Sequence, residues 1–179
     1  MNKVQQLIQE TEQARERFLG SVGQLGFAQV TFKPEPEIWS ITEIAEHMVR
    51  AEQSGVSGMW KALDGMKKNE PVWSGDPIHK GLSIEEVVER TWQPKEQVPE
   101  IAAPIWRGSI SYWIASLKAQ KSILSDLGAA LDGQNIEEII YPHPISGPLD
   151  IRQRLEFLRF HLDRHREQIE NLKQHPNFA

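Results

Sequence analysis

The chain has 179 residues, 39% of them hydrophobic and 25% charged, with a formal net charge of −5. This size and balance fit one soluble globular domain spanning residues 1–179, and the acidic sign supplies no basic field for nucleic acid. Cysteine is absent, which excludes disulfides, thiolate metal sites and a cysteine nucleophile, so any metal must be held by His, Asp and Glu. No apolar run reaches 18 residues, and the opening Met1-Asn-Lys-Val-Gln-Gln-Leu-Ile lacks the apolar core of a signal peptide. A cytoplasmic location without membrane contact is the expectation.

The predicted elements are helical. Val4, Leu7, Ile8, Thr11, Ala14, Phe18 and Val22 recur at three and four residues, giving an amphipathic helix to about Gln24. Gly26 and Lys33-Pro34-Glu35-Pro36 end it. Ser40 opens a second helix, with Glu43 completing a capping box. Its stripe is Ile41, Ile44, Ala45, Met48, Met59 and Leu63, with Gly55 and Gly58 allowing close packing. His47 borders the stripe. Glu52 falls inside it, where a carboxylate is costly unless paired. Residues 67–81 form a loop, and Ser83 with Glu86 caps a short helix through about Trp92. Pro94, Pro99 and Pro104 keep the next segment extended. A third long helix is expected from about Trp106 to Leu131, closed by Gly133; Ile139-Ile-Tyr141 is the one β-like run. Asp150 or a near neighbour starts the last helix, which ends near Gln174. Four long amphipathic helices with an extended crossover predict an all-α four-helix bundle of up-down type, with one short extra helix.

The last helix carries the chemistry. His161 and His165 sit four residues apart, about 40° around the axis and about 6 Å along it, so they share a face. That face is the apolar one, marked by Leu155, Leu158, Leu162, Ile169 and Leu172. Imidazoles spaced this way can both reach one metal ion; they can equally be core-edge histidines satisfied by polar neighbours. A third ligand on a facing helix is available in His47. His79 and His143 read as surface or turn histidines, Arg107 and Tyr112 as solvated, and the tryptophans at helical spacing as core. Trp39 reads as a staple before the cap. Arg159, Arg164 and Arg166 read as a surface run paired with Glu156, Asp163, Glu167 and Glu170.

Two stretches carry a resemblance. Trp39-Ser40-Ile41-Thr42-Glu43-Ile44-Ala45-Glu46-His47-Met48-Val49-Arg50-Ala51-Glu52 resembles the Trp-Ser-(Ile/Val)-x-Glu-(Ile/Leu)-x-x-His-(Leu/Met)-x-x-x-Glu stretch of the DinB-like superfamily, which includes bacillithiol S-transferase-like proteins. His143-Pro-Ile-Ser-Gly147-Pro-Leu149, followed by Phe160-His161-x-x-x-His165-x-x-Gln168-Ile169, is similar to that family's ending. The match runs in order over roughly residues 30–172. The resemblance implies a four-helix bundle in which His47, His161 and His165 bind a divalent metal, zinc or nickel, with positions left for water. It also implies a homodimer, and an activity that couples a low-molecular-weight thiol to an electrophile or hydrolyses a substrate.

The chemistry is consistent with the residues themselves. Three neutral imidazoles leave a divalent ion its full charge and open positions, as in catalytic rather than closed structural sites. Such an ion lowers the pKa of bound water or holds a small thiol as thiolate. Lacking cysteine, the chain must receive that thiol as a cosubstrate. Each histidine is expected to act purely as a ligand, and Glu52 reads equally as orienting one of them from behind or as a capped or solvated carboxylate. The expected function is thus a metal-dependent thiol S-transferase or hydrolase acting on a small organic molecule. The alternative is a non-catalytic dimeric bundle whose metal is structural or whose site is vestigial.

Overall fold

The computed structural model describes residues 2–92 and 98–178; the expectation for Pro94 lies outside them. Four long helices dominate: α1 (Lys3–Val22), α3 (Ile41–Lys67), α5 (Ile110–Ala130) and α6 (Ile151–Lys173). Two shorter ones, α2 (Phe27–Thr31) and α4 (Ile84–Thr91), and a 3₁₀ turn (Glu100–Ala102) lie in the connections. Strands β1 (Ile140–His143) and β2 (Gly147–Asp150) pair antiparallel just before α6. Local chemistry sets these starts. Asn2, Ser40, Ser83 and Asp150 each accept the N3 backbone N–H, and Gln5, Glu43, Glu86 and Gln153 return the bond, so four helices begin with a capping box.

Two boundaries differ from the sequence expectation. The third long helix begins at Ile110, capped by Ser109, and not at Trp106. The backbone N–H groups of Ile105, Trp106 and Arg107 are turned instead onto the Glu46 carboxylate at 2.6–2.9 Å, with Arg107 in the left-handed region at φ 51°. The β-like run extends to His143 and acquires a partner strand, Gly147–Asp150.

Helices α1 and α6 pack together, as do α3 and α5, and each pair also packs on the other. Arg17 pairs with Asp163, and Thr11 Oγ1 lies 3.4 Å from the Leu155 carbonyl, so α1 and α6 run the same way. Ile44 shares a cluster with Trp113, and Met59 with Leu127, so α3 and α5 also run the same way. The long connection 68–109 makes that parallel placement possible.

The core has two large apolar clusters and a smaller third one, in which Ile84 and Val87 of α4 meet Leu149 and Phe157. Of the large two, one gathers Leu7, Met59, Leu63, Leu127, Ile151 and Leu155; the other gathers Phe18, Ile44, Met48, Trp113, Leu117 and Leu162. Between them, at the middle of the long helices, lies a polar waist. Arg15, Glu52, Gln120 and the three candidate histidines are buried there, and Arg154 is buried nearer the start of α6.

The hairpin seats on α3 through Gly58, where a Cβ would fall 1.9 Å from the Tyr141 ring. Gly58→Ala is therefore expected to destabilise the protein by about 1–3 kcal/mol through overpacking, lowering Tm by roughly 3–10 °C. Gly20→Ala, on exposed helix with nothing within 4 Å of the added carbon, should stabilise slightly. Thermal unfolding of the two variants side by side checks the contact, and equal behaviour would refute it.

Candidate metal centre

His47 stands on α3, and His161 and His165 stand one turn apart on α6. The helices bring them together in the waist. His161 Nε2 lies 3.2 Å from His47 Nε2 and 3.0 Å from His165 Nε2. Two ligands about 2.05 Å from one ion are roughly 2.9–3.4 Å apart for angles between 90° and tetrahedral, so the spacing fits a shared divalent ion. All three rings are buried, and the three candidate ligand atoms fall within 4.8 Å of one another.

Hydrogen bonds behind the rings fix which nitrogen faces inward. His47 Nδ1–H donates to the Ala102 carbonyl at 2.8 Å, and His165 Nδ1–H to Gln168 Oε1 at 2.9 Å. Each bond holds its proton on Nδ1 and leaves Nε2 a bare lone pair. Aromatic faces hold the rings in place. Trp39 lies 5.0 Å from His47 and stacks 6.4 Å from His165, and Phe157 stacks 5.1 Å from His161. Trp39, expected as a staple, thus also walls the cluster.

Burial keeps the imidazoles uncharged. It lowers His47 to about 4, with the Arg50 charge adding and the Ala102 bond opposing. It lowers His165 to about 3, helped by His47 and opposed by Gln168, and drives His161 well below the ordinary range. Neutral rings are the form that donates to a metal.

The carbonyl that orients His47 is itself held by a residue the sequence reading passed over. Glu46 is fully buried, and its carboxylate accepts the three N–H groups of residues 105–107 described above. This pins the chain just after the 3₁₀ turn, so Ala102 stays over His47. Position 46 lies off the apolar stripe of α3, so the sequence gives no sign of its burial, which the 105–107 segment creates.

Glu52 does not orient a histidine. Its carboxylate pairs with Arg15 of α1, which also takes Glu12, and none of its hydrogen bonds reaches an imidazole. Burial lifts the Glu52 carboxyl to about 7 against the pull of Arg15. That carboxylate is paired across the bundle, although it lines the same cavity as the three histidines.

A cavity of about 220 Å³ opens beside the cluster, walled by the three histidines, Met48, Gly55 and Leu158 among others. His143, expected at the surface, lines it half-buried at the hairpin tip. His79 is also buried, and its Nε2–H donates to the Ser146 carbonyl at 2.8 Å, anchoring that tip. Trp92 anchors it too, with Nε1–H on Ser146 Oγ at 2.9 Å. Of the other tryptophans only Trp113 is fully core; Trp106 is exposed, as are Arg107 and Tyr112. In the arginine run, Arg159 pairs with Glu85 and Arg166 approaches Asp163, while Arg164 lies over Trp92.

Comparison with known proteins agrees with this frame. A model of the DinB superfamily matches residues 10–169. A solved structure described as the conserved protein of locus from Enterococcus faecalis superposes with a TM-score of 0.58 at 17% identity, covering 97% of this chain and 96% of that one. No curated protein matches the sequence. The family match takes in nearly the whole bundle, from the middle of α1 to beyond the second α6 histidine, and the chain belongs to the DinB superfamily.

Proposed function

We propose that this protein is a divalent-metal-dependent enzyme whose ion is held by Nε2 of His47, His161 and His165, acting on a small organic molecule in the adjoining cavity. The observation that carries this reading is the convergence of three neutral imidazole nitrogens on the wall of an open, largely apolar cavity. A divalent ion on three uncharged ligands keeps its charge and open positions, and lowers the pKa of a bound water or thiol. Thiol S-transfer and hydrolysis are the two reaction classes this supports. The chain's own part is to hold the His47 and His165 lone pairs in place from Ala102 and Gln168, to wall the cluster with Trp39 and Phe157, and to offer an apolar room for the substrate. Having no cysteine, the protein takes any thiol as a cosubstrate. Zinc or nickel fits the imidazole set best. We assign it a cytoplasmic location and a homodimeric state; among the described residues no helix is long and apolar enough to cross a membrane.

A second reading is a structural or vestigial metal in a non-catalytic dimer. The cluster ties α3 to α6 where the apolar core is interrupted, which favours it. Chelation separates the two. A structural site loses a large part of its thermal stability, whereas a catalytic site keeps its fold and loses turnover in a screen of small thiols against electrophiles.

Untagged protein should carry about one divalent ion per chain by elemental analysis. His161→Ala and His165→Ala should each abolish stoichiometric metal with little change in helix content by circular dichroism. Gln168→Leu should weaken metal affinity by about 10–100-fold, because His165 loses the acceptor that orients it. Full occupancy in both histidine variants would end the assignment.

The pH dependence of metal-free protein follows from the same burial. His47, His165 and His143 have folded pKa values of about 4, 3 and 3, below the unfolded value near 6.5. Between those limits the unfolded chain binds more protons, so their contribution is complete above about pH 6.5 and is lost as pH falls. Glu52, raised to about 7, acts in the opposite sense, but one group opposes at least three. Tm in chelator should drop by roughly 5–15 °C between pH 7 and pH 5. A flat or rising profile in differential scanning calorimetry would mean that the rings are charged in the fold.

A further inference from the structure

Arg154 sits one turn into α6 and is 5% exposed, yet among the described residues its guanidinium has no anionic partner. Nε and Nη1 are buried with no hydrogen bond, and among the described residues no carboxylate lies within 4.0 Å. Its neighbours are the Tyr141 ring at 5.1 Å and the Phe157 ring at 6.0 Å. A Cβ on Gly55 would come 3.1 Å from Nη2, so the glycine leaves that nitrogen its space. The contrast with Arg15 is informative. That second buried guanidinium is neutralised by Glu12 and Glu52. Burial lowers Arg154 only to about 10, so it remains charged near neutrality. A buried, unpaired charge is costly to maintain, which points to a partner arriving from outside.

The cavity that Arg154 lines is the one that the histidines wall. Residues 154, 161 and 165 share a face of α6, and seven residues place Arg154 roughly 10 Å along the axis from His161. His143 faces the same space. Its Nδ1 accepts from the backbone N–H groups of Ile145 and Ser146 at 3.2 and 3.1 Å, which leaves the ring proton on Nε2 as a donor. Arg164, over Trp92 at 5.3 Å, adds positive charge at the rim. Donors therefore outnumber acceptors at this end; among the described residues the one carboxylate lining the cavity, Glu52, is engaged with Arg15 through Oε1, with Oε2 buried and unbonded. A single enclosed guanidinium with apolar walls matches one negative charge in a planar, two-oxygen group better than a phosphate dianion, which needs more donors.

We propose that Arg154, with His143 Nε2–H beside it, is the carboxylate-binding residue of this cavity, and that the substrate is a small organic acid with an apolar body. The carboxylate docks on Arg154 and the far end reaches the three histidines, an arrangement that rests on the metal-enzyme reading above. Calorimetric titration of hexanoate, hexan-1-ol and inorganic phosphate into zinc-loaded protein tests it, using wild type, Arg154→Met, Arg154→Lys and His161→Ala, with metal content measured in each. Hexanoate should bind at least tenfold tighter than hexan-1-ol. Arg154→Met should remove that preference with metal content unchanged, and Arg154→Lys should weaken it in part; the lysine variant carries the test if the methionine variant does not fold. Equal binding of acid and alcohol, or no binding, would overturn the proposal. So would hexanoate affinity that survives in Arg154→Met but falls in His161→Ala, since the acid would then sit on the metal. Tighter, Arg154-dependent binding of phosphate would overturn the carboxylate assignment. A wild type without zinc that still binds hexanoate through Arg154 would uphold the anion site while refuting the metal reading, so the two fail separately.

Discussion

The structure depends on burying a layer of polar side chains across the middle of a helical bundle. Apolar residues above and below this waist supply the driving force, and every group within it must find a partner or a use. Arg15 and Glu52 meet across the bundle from α1 and α3, with Glu12 completing the set. Breaking such a buried pair leaves an uncompensated charge, so it acts mainly as a lock on which helices face each other. With Glu52 taken by Arg15, the histidine Nε2 atoms face one another, and burial holds the rings neutral.

Position in the waist is passed outward through backbone groups. Glu46 lies one residue before His47 and gathers three N–H groups from the same segment before α5 that His47 bonds at Ala102. That gathering explains several facts together. It delays the start of α5 to Ile110, it accompanies the left-handed backbone at Arg107, and it holds the Ala102 carbonyl against His47 Nδ1. The hairpin does the same on the opposite wall. Ser146 is held by His79 and Trp92, so His143 is presented to the cavity from a fixed turn.

Much of this was legible in the sequence, for physical reasons that also mark the limits. Capping boxes and the 3.6-residue period act locally, and they gave the long helices and the short α4. The i,i+4 spacing put His161 and His165 on one face, and the resemblance carried by His47 gave the third nitrogen. Helix α2 was missed because five residues after Gly26 are too few to show a stripe. The second strand was missed because Pro142 and Pro148 face each other in the ladder, where neither offers an N–H. The start of α5 and the use of Glu52 were misread because each is decided by a partner 37 or more residues away. Arg154 was overlooked although its place is periodic, seven residues before His161 on the stripe. A cation there reads as an interruption until its lack of a partner is seen in three dimensions.

The chain is acidic overall, yet its cavity has the opposite character. Three uncharged imidazoles contribute no negative charge to offset a divalent ion, and Arg154 adds one more positive charge in the same apolar space. A low effective dielectric strengthens every such interaction and raises the cost of leaving it unanswered. On the proposed metal reading, the reactants best suited to that field are anions, which would answer a positive charge that the described residues leave without a counter-ion.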